Sequence, residues 1–116
     1  MTTINISKIP IIGARYAQLL QLCEHYRVEK LYVFGSVITE RFNPLTSDID
    51  LMVELQPRSP SEYGGALLHF GMDLEILFER NVDLLSDRPI KNIYLRQSIE
   101  RTKKLIYDRK SKEISY

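Results

Sequence analysis

Val33-Phe34-Gly35-Ser36, followed after an irregular stretch by Ser47-Asp48-Ile49-Asp50-Leu51, decides the reading of this chain. From Asp48 to Leu55 the residues alternate: Ile49, Leu51, Val53 and Leu55 fall on one face, and Asp48, Asp50, Met52 and Glu54 on the other. Such a period of two predicts a strand with one buried face. Asp48 and Asp50 then point the same way from Cα atoms roughly 7 Å apart, close enough to hold one cation or to straddle two. Mg²⁺ accepts few protein carboxylates and completes its shell with water and phosphate oxygens. The pair is therefore suited to a metal-bound nucleotide triphosphate. An isolated Asp-x-Asp is more often a solvated strand face, and only its surroundings shift that balance.

Upstream, Leu31-Tyr32-Val33-Phe34 is an apolar run, rich in aromatic side chains, that stops at Gly35, as expected of a buried strand entering a tight turn. Gly35 permits close backbone approach to a phosphate. Ser36 adds a hydroxyl, and Val37-Ile38-Thr39-Glu40 would open a short helix whose positive end faces the anion. A Gly-Ser dipeptide alone is equally an ordinary strand-to-helix turn; its weight here comes from lying one connection before the carboxylates.

A third acid interrupts the apolar run Asn81-Val82-Asp83-Leu84-Leu85. A lone carboxylate buried in a strand is costly without a partner. If this strand lies beside the one carrying Asp48 and Asp50, Asp83 completes a three-carboxylate site, as metal ligand or as the base that takes a proton from an attacking hydroxyl. The other reading, that Asp83 ends a strand or faces solvent, is left open by the sequence.

These residues resemble the nucleotidyltransferase superfamily of the DNA polymerase β type, and within it the minimal nucleotidyltransferase (MNT) domains. The family pattern is a strand ending in Gly-Ser, a spacer, Asp-x-Asp, and a later Asp on a neighbouring strand. Gly35 and Ser36 match the phosphate-binding turn, Asp48 and Asp50 the metal-binding pair, and Asp83 the third acid. The resemblance runs from about Val28 to Tyr107 and includes Leu95-Arg96-Gln97-Ser98-Ile99-Glu100 as the last helix. The spacer Val37 to Ser47 is slightly longer than usual, and Val37 and Ile38 stand where many relatives carry Arg, a contact Arg41 would have to supply. The resemblance implies a Mg²⁺-dependent enzyme, with two ions held by Asp48, Asp50 and Asp83, that transfers AMP from ATP to a hydroxyl. It also implies an antitoxin role, the acceptor being a tyrosine of a partner HEPN-domain toxin. Two alternatives stand beside it: a non-catalytic nucleotide- or partner-binding module, and a small-molecule nucleotidyltransferase of the aminoglycoside type, whose acceptor pocket would form in a homo-oligomer.

Length and composition fit one domain over residues 1–116, with a polar tail from about 108: 44% of residues are hydrophobic and 27% charged. No leader or membrane-length apolar run is evident, so the expected location is the cytoplasm. Cys23 is the single cysteine and falls in a helical apolar pattern, which predicts core packing. His25 and His69 lack partners at metal-site spacing.

A net charge of +1 conceals an asymmetry: residues 1–87 hold 7 Lys and Arg against 12 Asp and Glu, and residues 88–116 hold 9 against 3. The basic end, with Arg88, Lys91, Arg96, Arg101, Lys103 and Lys104, would attract nucleotide phosphates, an acidic partner or RNA. Strong nucleic-acid binding is not expected of a near-neutral chain without interleaved aromatic and basic residues.

Periodicity predicts a helix over Pro10 to Tyr26, strands ending at Phe34 and spanning Asp48 to Leu55, and a helix capped by Ser59 or Ser61 that runs to about Glu79. In that helix Leu67, Phe70, Leu74 and Leu77 mark the buried face. A strand at Val82, a helix from Pro89 to Thr102 and a Leu105-Ile106-Tyr107 strand complete the set. The fold class is α/β (α+β): a small mixed β-sheet packed with helices, the nucleotidyltransferase fold.

Overall fold

The computed structural model describes residues 10–35, 48–86 and 93–110. Its elements are α1 (Pro10–Gly13), α2 (Tyr16–His25), β1 (Val28–Phe34), β2 (Ile49–Leu55), α3 (Pro60–Phe78), β3 (Val82–Ser86), α4 (Ile93–Thr102) and β4 (Lys104–Asp108). The strands form one sheet in the order β3-β2-β1-β4. β1 runs antiparallel to both β2 and β4, whereas β2 and β3 are parallel, so the sheet is mixed as expected. A parallel pair needs a long crossover, and α3 provides it.

One sheet face packs under α2 and α3. Ile49, Leu51 and Val53 are fully buried, as are Leu31 and Val33 on β1, and they belong to one apolar cluster with Leu19, Cys23, Phe70, Leu74 and Phe78 of α2 and α3. Burial raises the Cys23 thiol far above its ordinary value, as suits a packing cysteine rather than a reactive one. The buried stripe of α3 is Tyr63, Phe70, Leu74 and Phe78, and the expected Leu67 and Leu77 sit at its margins, partly buried. The stripe is rotated from the expected one because large aromatic rings displace leucines from the centre of a face they share. On the opposite sheet face Met52, placed by its alternation among polar residues, is also buried, at 5% exposure. Its cross-strand neighbour Tyr32 lies under the Lys103 ammonium, 4.5 Å from the ring centroid.

The first helix departs from expectation. It is interrupted after Gly13, and Arg15 (φ −119°, ψ 20°) restarts it without a side-chain cap. Gly is a poor helix former because the unfolded chain gains so much freedom from it. Ile12 and Tyr16, on either side of the break, are both buried, and the Tyr16 hydroxyl donates to the Ile106 carbonyl at 3.0 Å. Ser59 caps α3 as anticipated: its Oγ accepts from the Glu62 N–H at 3.3 Å and lies 2.7 Å from the Glu62 carboxylate, with Pro60 at the first helical position. The start of the last helix expected at Pro89, and the basic Arg88 and Lys91, lie outside the described residues. Among the described residues no helix is long and apolar enough to cross a membrane.

The turn from α2 into β1 passes through Arg27 in the left-handed region (φ 54°), an unfavourable conformation for a residue with a side chain. Arg58 holds it there. Its guanidinium donates to the carbonyls of Tyr26 (2.8 Å), Arg27 (3.2 Å) and Gln56 (3.1 Å), joining the turn to the end of β2. Arg58→Ala is expected to lower unfolding free energy by about 1–2 kcal/mol in urea denaturation. Arg58→Lys should recover less than half of the loss, because an ammonium lacks the planar fork that reaches three acceptors.

Candidate active site

β1 delivers the chain to Gly35, and β2, antiparallel to it, starts at the same end of the sheet. β3 is parallel to β2, so its beginning lies there too. In the register of the sheet Phe34 stands opposite Asp50, and Asp50 opposite Asp83. The condition set by the sequence, that the Asp83 strand neighbour the Asp48-Asp50 strand, is met. Ser36, the spacer with Val37 and Ile38, and Arg41 lie outside the described residues.

Asp50 and Asp83 stand opposite each other in the register of the parallel pair, near enough for their side chains to hydrogen-bond when one carries a proton. Asp50 is half-buried and Asp83 exposed. Burial first, then the bond to Asp83, then the charges of Asp83 and Asp48, push the Asp50 carboxyl up to about 6. Asp48, just before β2, is exposed at the mouth of this pair. Among the described residues no three His, Cys, Asp or Glu side chains already stand as a closed ligand cluster. The donor set is nonetheless of the right kind for Mg²⁺: hard oxygens, two on neighbouring strands in register and a third within electrostatic reach.

Gly35 is integral to this arrangement in a way its sequence does not disclose. It has φ +74°, and a Cβ placed on it would come 2.2 Å from Asp50 Oδ2 and 3.0 Å from Asp50 Cγ. The turn is thus glycine both for its backbone conformation and for the space the carboxylate fills. The Asp50 carboxylate and the backbone available to a phosphate are in contact. No periodicity could have shown this, since it depends on the register between β1 and β2.

Two outcomes follow. Gly35→Ala must displace the Asp50 side chain and strain the turn, so it should lower the melting temperature, read by differential scanning fluorimetry. The acid pair gives a pH signature in chelator. Folding raises the Asp50 pKa from 3.8 to about 6, so protonation favours the fold; this contribution is full below about pH 3.8 and is lost as pH rises through 6. Asp50→Asn, which keeps a donor toward Asp83 and removes one charge, should melt higher than the parent at pH 8, and the difference should vanish near pH 3.5.

A family profile described as polymerase β nucleotidyltransferase matches residues 17–112. Among solved structures, a toxin–antitoxin complex with AMP-PNP superposes with a TM-score of 0.61 at 19% identity, covering 82% of this chain and 74% of that one. The complex of a tri-AMPylated HEPN toxin with its MNT antitoxin from Shewanella oneidensis gives 0.59 at 19% identity, over 85% and 74%. A minimal nucleotidyltransferase gives 0.55 at 26% identity, over 86% and 94%. A search of curated proteins finds no significant match. A Gly turn packed on an aspartate, a second aspartate paired to it on the parallel strand, and a profile match that covers most of the chain together establish that this protein belongs to the polymerase β-type nucleotidyltransferase family.

Proposed function

We propose that the protein transfers AMP from ATP to a hydroxyl group, as a single nucleotidyltransferase domain, and that the acceptor is a tyrosine of a HEPN-domain toxin. The observation that carries the reading is the Asp50–Asp83 pair held against the Gly35 turn. Two carboxylates held side by side repel each other unless a proton or a cation lies between them, which makes a poor structural feature and a good divalent-metal site.

Asp48 and Asp50 would hold Mg²⁺, with Asp83 as a further ligand or as the base. When bound, Mg²⁺ supplies charge neutralisation and polarisation at the phosphate oxygens. Gly35 and Ser36 would seat the β and γ phosphates on backbone N–H groups and a hydroxyl. Asp83 is exposed on the edge strand, where it can meet a hydroxyl presented from outside. In the reaction the acceptor oxygen bonds to the α phosphorus, the bond to the β phosphate oxygen breaks, pyrophosphate departs, and the hydroxyl proton passes to Asp83. The protein's share is to position the groups and balance charge.

Support for ATP and for a protein acceptor comes from similarity in fold to the antitoxin solved with AMP-PNP and to the MNT antitoxin bound to an AMPylated HEPN toxin. An ATP-dependent domain with a buried, unpaired Cys23 suits the cytoplasm.

The test is incubation with α-³²P-ATP and Mg²⁺, alone and with a HEPN-type protein encoded beside it, resolved on a denaturing gel. Label should appear on the neighbour and fall to background in Asp48→Ala and in Asp50→Ala, with both variants folded by circular dichroism. Undiminished labelling in either would overturn the assignment. Binding of Mg²⁺–ATP without label on any protein would instead identify a non-catalytic module or a small-molecule acceptor.

A further inference from the structure

The acids occupy one side of this end of the sheet, on β2 and β3; the other side, at β4, is basic. Lys104 pairs with Val33, so the chain enters β4 at the level of Phe34, in the row that continues through Asp50 to Asp83. The two lysines at that point face opposite ways. Lys104 stands opposite Val33, whose side chain is in the core face. Lys103 reaches over the Tyr32 ring, and Tyr32 is opposite Met52, two residues from Asp50 and therefore on Asp50's face.

Lys103 is also unusual as a lysine. Its side chain is only 11% exposed, and its ammonium lies 3.1 Å from Glu100 Oε1, a carboxylate on a side chain that is itself 56% exposed. An ammonium has three donors, and among the described residues Lys103 spends one on Glu100 and rests another side on a ring. Lys30, also on this face, is remote, opposite Glu54 toward the far end of β1.

We infer that Lys103 contacts the terminal phosphates of the bound nucleoside triphosphate and remains on the departing pyrophosphate. This rests on the nucleotidyl-transfer reading and adds to it the direction in which the triphosphate lies: across the strands, from the metal end at Asp50 over Gly35 to Lys103. Two strand spacings separate β2 from β4, roughly 10 Å, a gap that a triphosphate and a lysine side chain together bridge. Metal ions at the carboxylates do not neutralise the whole phosphate chain. A cation at its far end, preorganised by the Tyr32 ring and Glu100, binds the leaving group without competing for metal.

The experiment is calorimetric titration of the purified chain with Mg²⁺–ATP and with AMP, for the parent, Lys103→Met and Lys103→Arg. Loss of one charge-assisted contact should weaken Mg²⁺–ATP roughly 10- to 100-fold in Lys103→Met, leave AMP unchanged, and be largely recovered in Lys103→Arg. A Lys103→Met protein that is folded and binds Mg²⁺–ATP within twofold of the parent overturns the inference. A second readout needs no variant: with ¹³C-labelled lysine, the Lys103 ε-methylene signal, displaced by the Tyr32 ring current, should move on addition of Mg²⁺–ATP or Mg²⁺–pyrophosphate and stay in place with AMP. A signal unmoved at saturating Mg²⁺–ATP overturns the inference while leaving nucleotidyl transfer standing. A parent protein that binds no Mg²⁺–ATP overturns both.

Discussion

The parallel pairing of β2 with β3 brings two negative groups together, and the rest of the fold has to tolerate it. Asp50 opposite Asp83 is repulsive unless a proton or a cation intervenes. The strands cannot slide apart to relieve it. A shift of one residue would turn Ile49, Leu51 and Val53 out of the core, and those three side chains are fully buried. Hydrophobic burial on one face thus pins an electrostatically unfavourable arrangement on the other. The force is distributed over many apolar contacts, whereas the repulsion is confined to one pair, so the first prevails.

Much of this was legible in residue order. The alternation from Asp48 fixed β2 and which face is acidic, and Ser59-Pro60 announced the start of α3. Neighbour relations were not. A period of two says which way Asp83 points relative to Val82, but nothing about which strand lies beside it. The contact between Gly35 and Asp50 depends likewise on a pairing between distant segments. Errors arose where tertiary packing overrode a local pattern: Gly13 interrupts a helix that apolar spacing would have carried through, and Met52 is covered despite lying among polar neighbours.

The charge asymmetry between the two parts of the chain acquires a spatial meaning in the fold. The acids at positions 48, 50 and 83 and the lysines at 103 and 104 are far apart in sequence, yet strand order places them at one end of a four-stranded sheet. One antiparallel return and two crossovers turn a lengthwise separation of charge into a transverse one. A nearly neutral chain can in this way present a strongly polar surface where its strands begin and end.

Among the described residues β3 and β4 are the outer strands of the sheet, and neither has a partner beyond it. An unpaired edge is a template on which another chain can add a strand, and natural proteins discourage this with charge and shortness. β3 has five residues and displays the exposed Asp83 in its second position; β4, the opposite edge, is equally short and bounded by Lys104 and Asp108. Asp83 therefore acts as a gatekeeper of this edge. Replacing it with an apolar residue would remove a carboxylate from the site and, in the same step, leave a run of Val82, Leu84 and Leu85 on an unguarded border, open to aggregation.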